Sequence, residues 1–225
     1  MSDFSKMKQI AMNYYQNNEL EKAIRMVFLA SGYMFNMNQV LYDEELENLL
    51  ARIAAEHMKL MQIHKTKQNV ILYYDSFGQM QRGMTQIYIK ALCRLGYCVK
   101  YVTFEKYQSV KNDVHSYIKE EDIFFIHENS CLGQMQELLN YIYSVKPGKV
   151  FMHLMPDDVI AVGAFSCIDG EIQKYQINLT DHAFWLGKNV SDVIINFRSF
   201  GAKVCRDCRG IAEEKNVYLP YYPVD

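Results

Sequence analysis

The 225-residue sequence contains no apolar run long enough to cross a bilayer, which takes about 20 consecutive apolar residues as a helix. Its first residues, Met1-Ser2-Asp3-Phe4-Ser5-Lys6, also lack the apolar stretch of a secretory signal. A cytoplasmic chain without a transmembrane segment is expected. Charge of one sign is missing as well. Lys and Arg total 24 against 26 Asp and Glu, for a formal net charge of −2. No basic field exists to draw in nucleic acid, and none is expected as a partner. Two short basic stretches, Lys65 to Lys67 and Arg206 to Arg209, read as charged loops facing solvent.

Paired cysteines are scarce too. Among six cysteines only Cys205-x-x-Cys208 has a paired spacing, and zinc needs two ligands more. Free thiols and no metal are therefore expected. Several catalytic signatures are absent. No Gly-x-Ser-x-Gly elbow or His-Glu-x-x-His pair occurs, so hydrolase and metalloprotease readings have no motif behind them. Neither Gly-x-Gly-x-x-Gly nor the lysine-bearing Walker A loop occurs. Dinucleotide and ATP-hydrolase readings are poorly supported, and no cofactor is expected.

What is present is a globular composition. Half of the residues are hydrophobic, enough to bury a core without metal or disulfide. Residues 1–66 read as helices. Phe4, Met7, Ala11 and Tyr14 make one apolar stripe, and Asn17-Asn18 then marks a turn. Leu20, Ala23, Ile24, Val27 and Phe28 make a second stripe. Leu46, Leu49, Leu50, Ile53, His57 and Met61 make a third. The stretch from Ala11 to Ile24 resembles one tetratricopeptide unit, which cannot bury its own face. It serves either as a docked cap or as a partner groove.

After a linker at His64 to Gln68 the periodicity changes. Val70 to Tyr74 is a continuous apolar run ending in Asp75-Ser76-Phe77-Gly78, as a buried parallel strand ends. Further strands are predicted at 99–103, 123–126, 150–154, 193–195 and 217–219. Helices are predicted after the first three, the second of them over Val110 to Ile118. This alternation predicts an α/β domain over residues 69–225: a Rossmann-like parallel sheet flanked by helices. Asp169-Gly170, between Ala164–Ile168 and Glu171–Ile177, predicts an inserted β-hairpin. A short helix is predicted around Ala183 to Leu186, anchored by Phe184 and Trp185.

Ligands of such sheets bind beyond the carboxyl ends of the strands. That rule selects Asp75 to Gly83, His127 to Asn129 and His153 to Asp158. In the first loop, Gly78 and Gly83 let the backbone approach a ligand, with Arg82 beside them; the alternative is a shaped turn. Glu128 and Asp157 with Asp158 lie at strand ends, where a carboxylate acts as a base, binds sugar hydroxyls or simply caps a helix. His182 beside Asp181 has the makings of a catalytic pair, an imidazole next to a carboxylate. The alternative is a histidine bonded to a backbone carbonyl.

Three stretches together resemble GT-B glycosyltransferases. They are Val70 to Gly78 with Arg82-Gly83 opening a helix, Thr180 to Gly187 with Asp192 to Ile195, and Arg209 to Ile211 followed by Val217 to Pro223. Enzymes of that family have two facing Rossmann-like domains, the first shaping the acceptor site and the second holding the nucleotide-sugar. The resemblance implies that this chain is the first domain and ends where the second would begin, so the donor-binding acidic motif is absent. It further implies that the chain is inactive alone, that the loop from Gly78 to Gly83 faces the interdomain cleft, and that His182 contacts donor phosphates or the acceptor. The expected partners are a nucleotide-sugar donor, held mainly by the absent domain, and an acceptor of unknown kind. A face exposing Tyr218, Tyr221 and Tyr222 is expected, with homo-oligomer formation unsurprising. Two other classes stay open: a non-catalytic protein-interaction module built on the helical segment, and a binding domain for another nucleotide.

Overall fold

A computed structural model describes residues 2–60, 63, 65–78, 84–110, 114–168 and 170–220. Three helices come first: α1 (Asp3–Gln16), α2 (Leu20–Met37) and α3 (Glu44–His57). Each start and stop has a local cause. The Ser2 hydroxyl caps α1 by accepting from the Ser5 N–H, and Asp43 caps α3 through the Leu46 N–H. Asn18 (φ +60°) closes α1 in the left-handed region, with Glu19 N–H bonding Tyr14 O and Asn18 N–H bonding Tyr15 O. This is the turn expected at Asn17-Asn18. Most members of the predicted stripes are buried: Phe4, Ala11, Ala23, Ile24, Val27, Leu46, Leu49, Leu50 and Ile53 lie in the core, whereas Met7, Tyr14 and Leu20 are half-buried and Phe28 and His57 are exposed. Met61, the last member of the third stripe, lies outside the described residues.

The remainder alternates strands and helices. The strands are β1 (Lys67–Asp75), β2 (Cys98–Phe104), β3 (Ile123–Ile126), β4 (Pro147–His153), β5 (Gln173–Asn178), β6 (Val193–Asn196) and β7 (Asn216–Tyr218). The helices are α4 (Met84–Arg94), α5 (Cys131–Val145), α6 (Val159–Ser166) and α7 (Ser199–Arg209). Every described strand pairing is parallel, in the order β3-β2-β1-β4-β5-β6-β7. The chain is thus a Rossmann-like α/β fold. Strands run outward from β1 to β3, then α5 carries the chain back so that β4 pairs with the other edge of β1. The order reverses between β1 and β4, which opens a crevice at their carboxyl ends.

Alternate residues of the strands feed two cores. Leu72, Tyr74, Val102, Ile126, Val150 and Met152 pack with α1–α3, α5 and α6. Ile71, Tyr73, Val99 and Tyr101 pack with Ile89 and Leu92 of α4 and with Val114 and Ile118. The N-terminal helices therefore share one continuous core with the sheet. No described helix is long and apolar enough to cross a membrane.

Four expectations need revision. The hairpin at Asp169-Gly170 is absent: Ala164 to Ser166 belong to α6, and β5 pairs in parallel with β4 and β6. Residues Val159 to Phe165 are all buried, and a helix buried on every side shows no 3.6-residue periodicity to betray it. The short helix at Ala183 to Leu186 is instead a run of turns. Its carbonyls are taken by a side chain: Arg209 donates to the carbonyls of Thr180, Asp181 and Ala183, at 3.4, 3.2 and 2.6 Å. The same guanidinium lies over the Trp185 ring, 4.7 Å from its centre. Arg209 is therefore buried, not part of a solvent-facing loop. Of Val110 to Ile118, residues 111–113 lie outside the described residues, and Val114 to Ile118 form a turn.

Candidate functional site

Asp75 ends β1 and stands opposite His153, which ends β4, at the reversal point of the sheet. Both are buried. One oxygen of Asp75 accepts from the N–H groups of Phe77 (2.9 Å) and Gly78 (3.2 Å) and lies 3.2 Å from His153 Nδ1. The other accepts from the hydroxyls of Thr85 and Tyr101, both at 2.9 Å. Burial pushes the Asp75 carboxyl up, but the His153, Tyr101 and Thr85 contacts outweigh it, and the group lies below the usual carboxylate range. His153 stacks on Phe77, and its Nε2 is buried with no partner among the described residues.

Further backbone amides hold the chain's own carboxylates. Glu137 accepts from the N–H groups of His127 and Glu128, each at 2.9 Å. Glu21 of α2 takes those of Cys131 and Leu132, at 2.9 and 2.8 Å, at the start of α5. Glu47 of α3 takes those of Gly187, Lys188 and Asn189, at 2.8, 3.1 and 2.8 Å. Asp158 caps α6 through the Ala161 N–H. Such amide clusters are where phosphate binds in nucleotide-binding folds. Here internal carboxylates fill them, and that charge repels a second anion.

Beside these clusters lies a cleft of about 740 Å³. Ser76, Phe104, Ile126 and Met155 form its floor at the ends of β1 to β4, and Arg25 and Phe28 of α2 form a wall. Its polar lining includes Lys106, His127, Glu128, Gln134, Asp157 and Asp158. Burial pushes Asp157 up, and pushes Asp158 up to about 6 despite its bonds to Ala161 N–H, Ser76 and Tyr74.

Of the residues singled out from sequence, Glu128 and Asp157 share this cleft. Gly78 ends the first strand loop at φ +53°, and a Cβ there would stand 2.2 Å from the Tyr107 ring. Only glycine fits that approach. Arg82 and Gly83 lie outside the described residues.

Asp181 and His182 lie apart from the cleft lining, in the segment between β5 and β6. Asp181 is buried and accepts from Arg198 at 2.6 Å, with His182 Nδ1 at 3.3 Å from the same oxygen. The side chains of Arg198 and His182 are 53% and 63% exposed, so one buried carboxylate orients two outward-facing donors. Helix α2 spans both places. Its Gly32 faces Asp157, where a Cβ would stand 3.6 Å from the carboxylate, and its C-terminal Asn38 donates to the His182 carbonyl at 3.0 Å. Six residues of helix put these points roughly 9 Å apart along the axis.

The strand-end rule reached Asp75, His153 and the loop of His127, but not Glu137, which holds that loop, nor Glu47, which holds Gly187 to Asn189. Glu137 and Glu47 sit within helices, where nothing in the spacing marks an acid as buried. No protein-family model matches the sequence, and comparison with curated proteins finds no match.

Proposed function

We propose that the chain is the acceptor-side domain of a GT-B glycosyltransferase, working with a second domain that binds the nucleotide-sugar. The observation that carries this reading is the division of the carboxyl edge. An acid-lined cleft occupies the ends of β1 to β4, and an outward His182–Arg198 pair braced by Asp181 lies further along α2. Carboxylates that accept from hydroxyls suit a polyhydroxylated acceptor, so Glu128 and Asp157 are assigned to it. A cationic donor pair suits a diphosphate leaving group, so His182 and Arg198 are assigned to the donor, oriented by Asp181. The self-filled amide clusters speak against a nucleotide held by this domain itself.

The protein-interaction module is the weaker reading. Most of the stripe residues it would use, among them Phe4, Ala11, Ile24, Val27, Leu46, Leu50 and Ile53, are buried in the core shared with the sheet, although Phe28 is exposed. Exposed Phe200, Val217, Tyr218 and Leu219 near the β7 edge suit a contact with the second domain; Tyr221 and Tyr222 lie outside the described residues.

The test is turnover by the complete gene product. UDP-, GDP- and dTDP-activated hexoses are offered with mixed oligosaccharide and peptide acceptors, and nucleoside diphosphate release is measured. Release with one donor is expected. Arg198→Ala should raise the donor KM, and Asp157→Asn the acceptor KM. No release from any donor would end the transferase reading.

A further inference from the structure

A second cavity, of about 250 Å³, lies between α3, α6 and the start of β5, and it shares no lining residue with the carboxyl-edge cleft. Lys174 is the second residue of β5, and Asn189 and Val190 precede β6, so this cavity lies toward the amino ends of those strands. Its floor is apolar: Val162, Phe165, Ile168 and Val190 are all buried. Asn48 and Asn189 are exposed and form its rim. At roughly 30 Å³ for each water-sized group, the space holds about eight non-hydrogen atoms.

Two buried groups of opposite charge, Glu47 and Lys174, line the same cavity. Lysine is almost never buried without partners. The Lys174 ammonium donates to the Ile168 carbonyl at 3.3 Å and lies 3.7 Å from Asp192 Oδ2. An ammonium has three donors, so among the described residues one N–H is left over. Glu47 accepts from the three N–H groups of Gly187, Lys188 and Asn189. A carboxylate offers about four such sites, so one acceptor site is left over as well. Burial pushes the Glu47 carboxyl up despite those bonds, so its charge is not fully compensated.

We propose that this cavity binds an aliphatic α-amino acid as its zwitterion. The ligand's ammonium takes the remaining site on Glu47. Its carboxylate takes the remaining N–H of Lys174, and its branched side chain covers the apolar floor. Both charges are needed, because Glu47 repels a lone anion and Lys174 a lone cation. Valine has the size that the volume allows. Occupancy also braces Gly187 to Asn189, the segment that Glu47 holds ahead of β6. Binding here is independent of sugar transfer at the other end of the sheet.

The experiment is isothermal titration of the complete gene product with L-valine. A Kd of about 1 mM or tighter is expected for a ligand of this size. Isovalerate lacks the ammonium and isobutylamine lacks the carboxylate, and each should bind about tenfold or more weakly. Lys174→Met keeps most of the lysine stem and should weaken valine binding by a similar factor. Hydrogen exchange at Gly187 to Asn189 should slow when valine is saturating.

If valine gives no binding at 10 times that concentration, about 10 mM, or if either single-charge analogue binds as tightly, the site assignment falls. It falls equally if folded Lys174→Met keeps the native affinity, or if valine slows exchange only at amides away from Gly187 to Asn189. Were Lys174 merely a cap for the end of α6, its loss would lower stability and the native protein would ignore all three ligands. Should Lys174→Met fail to fold, the three ligands on the native protein decide the matter.

Discussion

The two halves of the sheet's carboxyl edge solve the same problem with opposite charges. Around β1 to β4, anionic side chains reach backbone N–H groups: Asp75, Glu137, Glu21 and Asp158 each take one or two. Around β5 and β6, a cation reaches backbone carbonyls, as Arg209 binds three in the segment from Thr180 to Ala183. The first half keeps a cleft open beside its carboxylates. The second is packed shut around Phe184 and Trp185, both buried, and turns the side chains of His182 and Arg198 outward. A loop becomes rigid when its orphan polar groups find partners, and the sign of the partner decides what remains for a ligand.

Breaking the partner in each half sharpens the comparison. The largest loss of stability is expected from Arg209→Ala. It strands the buried carbonyls of Asp181 and Ala183 and removes the cation from the Trp185 ring. Loss of a buried, fully bonded ion typically costs about 3–5 kcal/mol, read as a fall in the urea midpoint. Asp75→Ala should cost nearly as much on the same scale, because it leaves His153, Thr85, Tyr101 and two N–H groups without their acceptor. An Asp75→Ala protein as stable as the parent would show that the buried network is not holding the crevice.

Glu47→Ala comes next. It removes the acceptor of three N–H groups, the one on Gly187 buried, at roughly 1 kcal/mol for the buried one, and unties α3 from Gly187 to Asn189. Hydrogen exchange should rise at those three amides and stay unchanged at Cys131 and Leu132, which Glu21 holds.

The smallest effect is on pH dependence. The folded-state carboxyl of Asp158 titrates near 6 because burial opposes its charge, whereas an unfolded aspartate titrates near 3.9. The folded state therefore binds the extra proton. Its stabilising contribution is full below about pH 4 and lost as pH rises through 6, on the order of 2–3 kcal/mol. Asn at this position can still cap α6. Asp158→Asn should flatten the decline in stability between pH 4.5 and 7, measured by denaturant titration. Asp75, held low, acts in the opposite sense and is lost only as pH falls below the ordinary carboxylate range.

Much of the fold was legible along the chain. The run from Val70 to Tyr74 became a central strand because its alternate residues feed two cores, so no polar alternation remained. Gly96 closed α4 as its position implies, with Gly96 N–H bonding Cys93 O and Tyr97 N–H bonding Leu92 O. Glu128 and Asp157, chosen only as acids at strand ends, converged on one cleft. Local signals failed where burial was complete. Val159 to Phe165 gave no helical period, and the segments expected to pair across Asp169-Gly170 form α6 and the parallel strand β5. The segment at Ala183 was misread because its carbonyls wait for a side chain 26 residues away.

The sequence by itself determined six of the described strands and most of their alternation with helices, and hence a parallel α/β sheet. Hydrophobic period, caps and left-handed turn residues act over a few residues and can be read locally. Only the tertiary structure decided which polar groups meet. The pairing of His127 with Glu137, the grip of Glu47 on Gly187 to Asn189, and the reach of α2 from Asp157 to His182 each join residues from different elements. Their proximity comes from the crossover that reverses the strand order and from helices docking on one face of the sheet. No spacing along the chain encodes that geometry directly.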